Sequence, residues 1–389
     1  MNKPYFRFLQ LASLFISGIF ILSSCSVSSL TQATSLYDFA IYDRNQMTWL
    51  YSELEAGDGE LRLVDSLKRR GEDSRYWGSP FSWEVDGTYF TKTSASERDL
   101  RVSLVRINPD VPAQPLTQKL AKDSIDIYAS AADQEFFYTI DVFVDHLVFK
   151  KYDHDFSLLK TTEILNQGKN IAANQLLSLG DHLYLLAGIV DPSKNPVSIE
   201  SEIWKLDKDF NIQETYPLPK SSGVLLRMMH DGEFFYITRP IGDSNVSNGA
   251  ASHSILVYQE NELEKHMDFV REIELTAAFP KELVYDEMSQ CLLIFHDSHR
   301  LSHLCWTVYD LKTDQEHLLD YPDYIPGNDQ VPRDPNFALH DGKCYILFKD
   351  HLEIYDVALD QRHQLDYPDE ASEPFFIVFN DKESEPSGQ

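Results

Sequence analysis

The densest run of side chains able to do chemistry is His296-Asp297-Ser298-His299-Arg300-Leu301-Ser302-His303. Imidazoles and a carboxylate flanking one turn are residue types that hold Zn²⁺, at ligand distances of about 2.1 Å. His296, Asp297, His299 and His303 therefore form a candidate metal set. Their spacing matches no standard zinc motif, and a solvated turn has the same composition. The Asp-x-Asp pairs raise the question of calcium. In Asp207-Lys-Asp209-Phe-Asn211 the sixth place is Ile212 and the twelfth Leu218, where a calcium loop needs Gly and Glu. These acids are expected instead to cap their own backbone in turns. The sequence has no nucleophile elbow, Walker loop, dinucleotide fingerprint or His-Glu-x-x-His. No catalytic residue is assigned, and no cofactor is expected.

Cys25 stands apart from the other three cysteines. Lys3 and Arg7 precede a largely apolar run from Phe8 to Leu22, too short to cross a ~30 Å hydrocarbon core. The run ends in Leu22-Ser23-Ser24-Cys25, which resembles the signal of bacterial lipoproteins. That resemblance implies a diacylglyceryl group on the Cys25 thiol, cleavage before it, and acylation of the new amino terminus. The alternative is an ordinary secretory signal that ends on a cysteine by chance. On the lipoprotein reading residues 1–24 are removed and residues 25–35, small and polar, form a flexible tether at the extracytoplasmic side of a membrane. Cys291 and Cys344 fall at equivalent places in successive repeats and are expected to fill the core as small hydrophobes. A Cys291–Cys305 bridge remains open.

The 389 residues carry 34 Lys+Arg against 62 Asp+Glu, a net charge of −28, and 43% are hydrophobic. No basic run exists to displace counterions from a phosphate backbone, which excludes a nucleic-acid partner. An acidic body on a lipid anchor is repelled by anionic headgroups and should stand off the bilayer.

From about residue 36 the pattern is period-2 alternation broken by turn dipeptides; the stretch from Asn261 to Leu275 is the only serious helix candidate. Six turns followed by aromatic strands begin near 86, 133, 181, 231, 286 and 341. Three are Asp-Gly (Asp86-Gly87, Asp231-Gly232, Asp341-Gly342), suited to type I′ hairpins because both central residues need positive φ. A second hairpin follows each first one. It is clearest in Val308-Tyr-Asp-Leu-x-x-Asp-Gln-x-His317 and its copy Ile354-Tyr-Asp-Val-x-x-Asp-Gln-x-His363, offset by 46. Two hairpins per period of about 50 residues predict an all-β fold of four-stranded antiparallel blades, a β-propeller. Seven blades are predicted over 36–379, with eight as the alternative if residues 36–75 make a blade alone. The ring is predicted to close by pairing Phe375–Phe379 with a strand from 36–64, followed by a disordered acidic tail at 380–389. The whole resembles bacterial β-propeller lipoproteins in architecture, without the signatures of WD, kelch or sialidase repeats.

In a propeller the b–c and d–a connections share one face. Long segments at 190–199, 240–249, 297–303 and 321–333 are expected there, with the units at 86, 133 and 341 kept short. Arg239, Tyr258 and Arg300, in or beside these loops, are the candidate partner contacts, since Arg and aromatic side chains dominate interface hot spots. The sequence thus points to a membrane-anchored, non-catalytic binding or scaffold module for an envelope protein, peptide or glycan. A hydrolase or lyase with its site in the propeller channel is the alternative.

Overall fold

The computed structural model describes residues 37–53, 61–69, 82–93, 102–120, 127–191, 193, 198–218, 223–242, 250–325, 336–369, 371 and 373–380. The signal segment, Cys25, the tether and residues 381–389 lie outside them. The described residues form seven four-stranded antiparallel sheets, the blades of a propeller. The innermost, or a, strands are Pro374–Phe379 in blade 1, then Trp83–Val85, Ala129–Ala132, Asn170–Leu179, Met228–His230, Pro280–Asp286 and Asn336–His340 in blades 2 to 7.

Blade 1 closes the ring. Its a strand comes from the C-terminal end and its b, c and d strands are Phe39–Asp43, Met47–Glu53 and Leu61–Lys68. The register runs Phe39↔Phe379, Ala40↔Val378, Ile41↔Ile377 and Tyr42↔Phe376. Every side chain of both strands is buried. One C-terminal strand and three N-terminal strands, which would each leave an open hydrogen-bonding edge, thereby satisfy one another.

The hydrophobic cores lie between blades. One joins Phe149 and Tyr138 of blade 3 to Leu185 and Trp204 of blade 4, and another joins Phe295 and Trp306 of blade 6 to Cys344 and Tyr355 of blade 7. Because both faces of a middle strand meet a neighbouring blade, those strands read as unbroken apolar runs. Cys291–His296 is buried at every position. Alternation is clear on outer strands such as Leu158–Leu165. Cys291, Cys305 and Cys344 are all buried and all free, so no Cys291–Cys305 bridge forms.

The turns follow their chemistry with one exception. Asp86 and Gly87 have φ of 47° and 70°, and Asp341 and Gly342 have 47° and 69°, as a type I′ hairpin requires. At Asp231-Gly232 only the glycine has positive φ. There the Asp231 carboxylate accepts from the amides of Glu233 and Phe234, and Tyr236 Oη donates to it at 2.8 Å. Asp133 makes the same contacts with Glu135, Phe136 and Tyr138. The Asp-x-Asp acids cap their own turns: Asp207 Oδ1 accepts from Asp209 N and Asn211 N, and Asp153 Oδ1 from Asp155 N and Ser157 N. The helix candidate at 261–275 is instead the c–d hairpin of blade 5, with His266–Glu274 as its outer strand. Its charged and apolar residues alternate along an edge strand that faces solvent on one side.

Carboxylates on the face of the a–b and c–d turns, the turn face, fasten successive blades. Asp155 of blade 3 takes Arg106 of blade 2 at 2.9 Å, and Asp133 of blade 3 takes Lys208 (2.7 Å) and Ser178 (2.9 Å) of blade 4. Glu260 of blade 5 accepts from Tyr184 (2.7 Å), Tyr216 (2.7 Å) and Lys205 (2.8 Å) of blade 4. Asp314 of blade 6 takes Arg271 of blade 5 at 2.8 Å, and Asp286 of blade 6 takes the Gly342 amide of blade 7 at 2.9 Å. Burial pushes the Asp133 carboxyl up, but Lys208 and the two amides more than offset this and hold it at about 2. The seam between blades 1 and 2 includes carbonyl and hydroxyl acceptors: Tyr37 donates to Pro109 O, Tyr42 to Pro112 O at 2.9 Å, and Phe379 N to Tyr89 Oη at 3.0 Å.

Candidate functional site

Two regions of the ring have the form of a site: the face carrying the b–c and d–a connections, the loop face, and the cavity along the axis. On the loop face the b–c connections are residues 44–46, 143–145 and 348–350 in blades 1, 3 and 7. They are 93–102, 192–197, 242–250 and 297–303 in blades 2, 4, 5 and 6. The expected long connections of three adjacent blades are present. The expectation of a short one in the unit at 86 is corrected, because residues 93–102 separate its middle strands. Residues 192, 194–197, 243–249 and 326–335 lie outside the described residues. Part of the 190–199 segment is strand, with Val190↔Ile199 and Asp191↔Ser198 paired.

The four candidate metal ligands do not converge. His296 is 0% exposed, and both ring nitrogens are engaged. Its Nδ1–H donates to Ala278 O at 2.8 Å, which leaves Nε2 to accept from Thr307 Oγ1 at 2.9 Å. Burial lowers its pKa to about 4, so the ring is neutral at pH 7. Asp297 caps the short helix Ser298–Leu301, accepting from the His299 and Arg300 amides. His299 is exposed, and His303 sits 3.0 Å from Asp320 Oδ1. Among the described residues no three His, Cys, Asp or Glu side chains are grouped to hold a metal ion.

The candidate partner contacts also separate. Tyr258 is 0% exposed and packs edge-on against Phe269, so it belongs to the core and is withdrawn as a contact. Arg239 is held within blade 5 by Ser252 (3.3 Å), Ser254 (2.9 Å) and Glu272. Arg300 stays accessible, with its side chain 43% exposed, its guanidinium 5.4 Å from the Phe279 ring centroid and 3.8 Å from Asp297.

The axial cavity, of about 470 Å³, is lined by residues of the inner strands of blades 1, 2, 4, 5, 6 and 7 and their turns. Its walls are mainly apolar and aromatic, including Trp83, Met229, Tyr285, Phe337, Phe376 and Phe379. His340 stacks on Phe379 at 4.0 Å and 8°. Near the axis Arg227 of blade 5 donates twice to Glu282 of blade 6 (2.6 and 3.2 Å) and once to Asn174 O of blade 4 (2.8 Å). Neither the cavity nor this clamp was singled out from the sequence. A signal for the clamp existed, since Arg227 and Glu282 stand 55 residues apart, one repeat.

No family profile matches the chain, and no curated protein matches it. Among solved structures it is similar to a periplasmic gluconolactonase of Pseudomonas aeruginosa, at 14% identity and a TM-score of 0.52, over 89% of this chain and 99% of that one. A putative 6-phosphogluconolactonase from Bacteroides uniformis aligns at 10% identity and a TM-score of 0.52, over 88% and 98% of the two chains. Another from Bacteroides fragilis gives 10% and 0.50, over 90% and 99%. Likeness at these identities establishes the seven-bladed propeller fold and leaves activity open.

Proposed function

We propose that this chain is a non-catalytic binding module held at the extracytoplasmic side of a cell membrane by a lipid on Cys25. It engages an envelope protein, peptide or glycan through its loop face. The observation that carries the reading is the contrast in connection length: the described a–b turns are uniformly tight, whereas four b–c connections on the opposite face are drawn out. Extra loop length costs little in closure entropy and is where recognition is usually built. Arg300, accessible within the 297–303 connection, is the described residue best placed to contact the partner.

Two experiments test this. Cys25→Ser should release the protein from the membrane fraction; a variant that still sediments with membranes removes the lipid anchor. Trimming residues 192–197 and 243–249 should abolish partner capture from an envelope extract while leaving the melting temperature nearly unchanged. Undiminished capture would take the partner off the loop face.

The names of the fold neighbours suggest a second reading, lactone hydrolysis in the channel, where Asp286 and His340 line the cavity. Asp286 Oδ2 is tied to Ser289 and to the Gly342 amide, and His340 is stacked, so both have structural work. Turnover of gluconolactone that Asp286→Asn removes from a folded protein would replace the binding reading.

A further inference from the structure

We propose that the axial cavity is a binding site for a small organic cation, taken up from the turn face. The site is independent of the loop-face partner. Asp286 at the end of the inner strand and the turn residues Glu287 and Met288 line the cavity, and Met288 is 75% exposed, so the cavity reaches the turn face at blade 6. Its volume falls in the range of small-molecule pockets, about 300–1,000 Å³, and exceeds what one amino-acid side chain fills.

The chemistry of the lining selects charge. Its ionisable side chains besides tyrosine and histidine are Glu84, Asp286 and Glu287, and no Lys or Arg is among them. Two of these carboxylates are fixed in place: Glu84 Oε1 accepts the Gly87 amide at 2.6 Å, and Asp286 Oδ2 accepts the Ser289 and Gly342 amides at 3.1 and 2.9 Å. Their charge is held at the cavity wall without the entropy cost of ordering a free side chain. The a–b turns at Asp86, Asp181, Asp231 and Asp341 add further carboxylates around the same face, while Asp133 is neutralised by Lys208. Beyond the carboxylates the wall is largely aromatic, with Trp83, Tyr285, Phe337 and Phe376 among the lining residues. Aromatic rings together with fixed carboxylates in a partly desolvated cavity favour a weakly hydrated cation with an apolar body, such as a quaternary ammonium. A neutral molecule of the same shape gains only the apolar contacts. An anion is repelled, and the field of the acidic face raises the local concentration of cations at the mouth.

The test uses calorimetric titration of the full chain with choline, benzyltrimethylammonium and 3,3-dimethylbutan-1-ol, the neutral carbon isostere of choline. Choline should bind at least tenfold tighter than the isostere, and benzyltrimethylammonium tighter still, with both cations weakened by added salt. Met288→Arg places a like charge at the mouth at an exposed position. It should cut cation affinity at least tenfold with an unchanged melting temperature, as should Glu84→Gln combined with Glu287→Gln. Equal affinity for the isostere would overturn charge selection, and cation binding untouched by Met288→Arg would place the site elsewhere. Absence of binding by all three probes at millimolar concentration would overturn the proposal while leaving the loop-face reading to its own pull-down.

Discussion

On the turn face, polar side chains reach across the seams: Arg106 to Asp155, Lys208 to Asp133, Lys205 to Glu260, Arg271 to Asp314. Toward the loop face several turn back into their own blade, Lys150 to Asp141, Arg239 to Glu272 and His296 to Thr307, while Arg227 and Tyr321 cross to Glu282 and Glu353 of the next blade. Cross-seam pairs fix the angle between blades, so turn positions cannot drift without loosening the ring. Pairs confined to one blade leave the connections around them free to vary. One face therefore holds the architecture, and the other is open to variation for recognition.

The largest expected effect comes from removing the element that joins both ends. Truncation after Glu370 deletes Pro374–Phe379, whose six side chains are all buried, and should abolish cooperative thermal unfolding. A truncated protein with an unchanged melting curve would deny the closing strand its role. Next comes Glu260→Ala, which leaves Lys205 and two tyrosine hydroxyls without their shared acceptor. With side chains only 9% and 12% exposed at Lys205 and Glu260, the loss should be about 3–5 kcal/mol in chemical denaturation. The loop-face counterpart Glu272→Ala, 35% exposed and paired within its blade, should cost no more than about 1 kcal/mol. Equal losses at the two sites would erase the contrast between the faces.

A pH series probes the loop face separately. The His296 pKa is lowered on folding, so the unfolded chain binds the proton more readily. Stability is then full above the unfolded value of 6.5 and falls as pH drops toward about 4. The difference amounts to roughly 3 kcal/mol by the conversion of about 1.4 kcal/mol per pKa unit. His296→Gln should flatten that part of the profile, and a wild-type stability independent of pH between 4 and 6.5 would contradict the buried neutral ring. Arg300→Ala is expected to have the smallest effect, within about 0.5 kcal/mol of wild type, because its side chain is partly exposed and its ion pair long.

Much of the ring could be read from the chain. The period, the paired hairpins at 308–317 and 354–363, and the aromatic segment at 375–379 each encode one geometric unit. What failed has a common cause. In a propeller both faces of a middle strand are covered, so alternation does not separate core from surface, and Tyr258, beside a long connection in the sequence, is a fully buried ring next to an equally buried Val257. His296 likewise ends a wholly buried strand, and its ring serves Ala278 and Thr307. The axial cavity was hidden because six blades contribute its walls a few residues at a time. The cross-seam pairs were legible in principle, since Lys205–Glu260 and Arg227–Glu282 are each 55 residues apart, but only once charge is compared at the repeat distance.

Pairing Phe39 with Phe379 also has a kinetic consequence. The strand Phe39–Asp43, apolar and meant for burial on both sides, leads the propeller segment during synthesis, yet its partner is made only after the strands of the six other blades. Until then it carries an unsatisfied edge of the kind that templates aggregation, and contacts of such long sequence separation form slowly. Six blades can assemble in order as they appear, but the ring stays open until its final strand is free to move in. Refolding should therefore show a late phase that vanishes when Phe379 and its neighbours are missing, and the waiting chain is the species most in need of a chaperone.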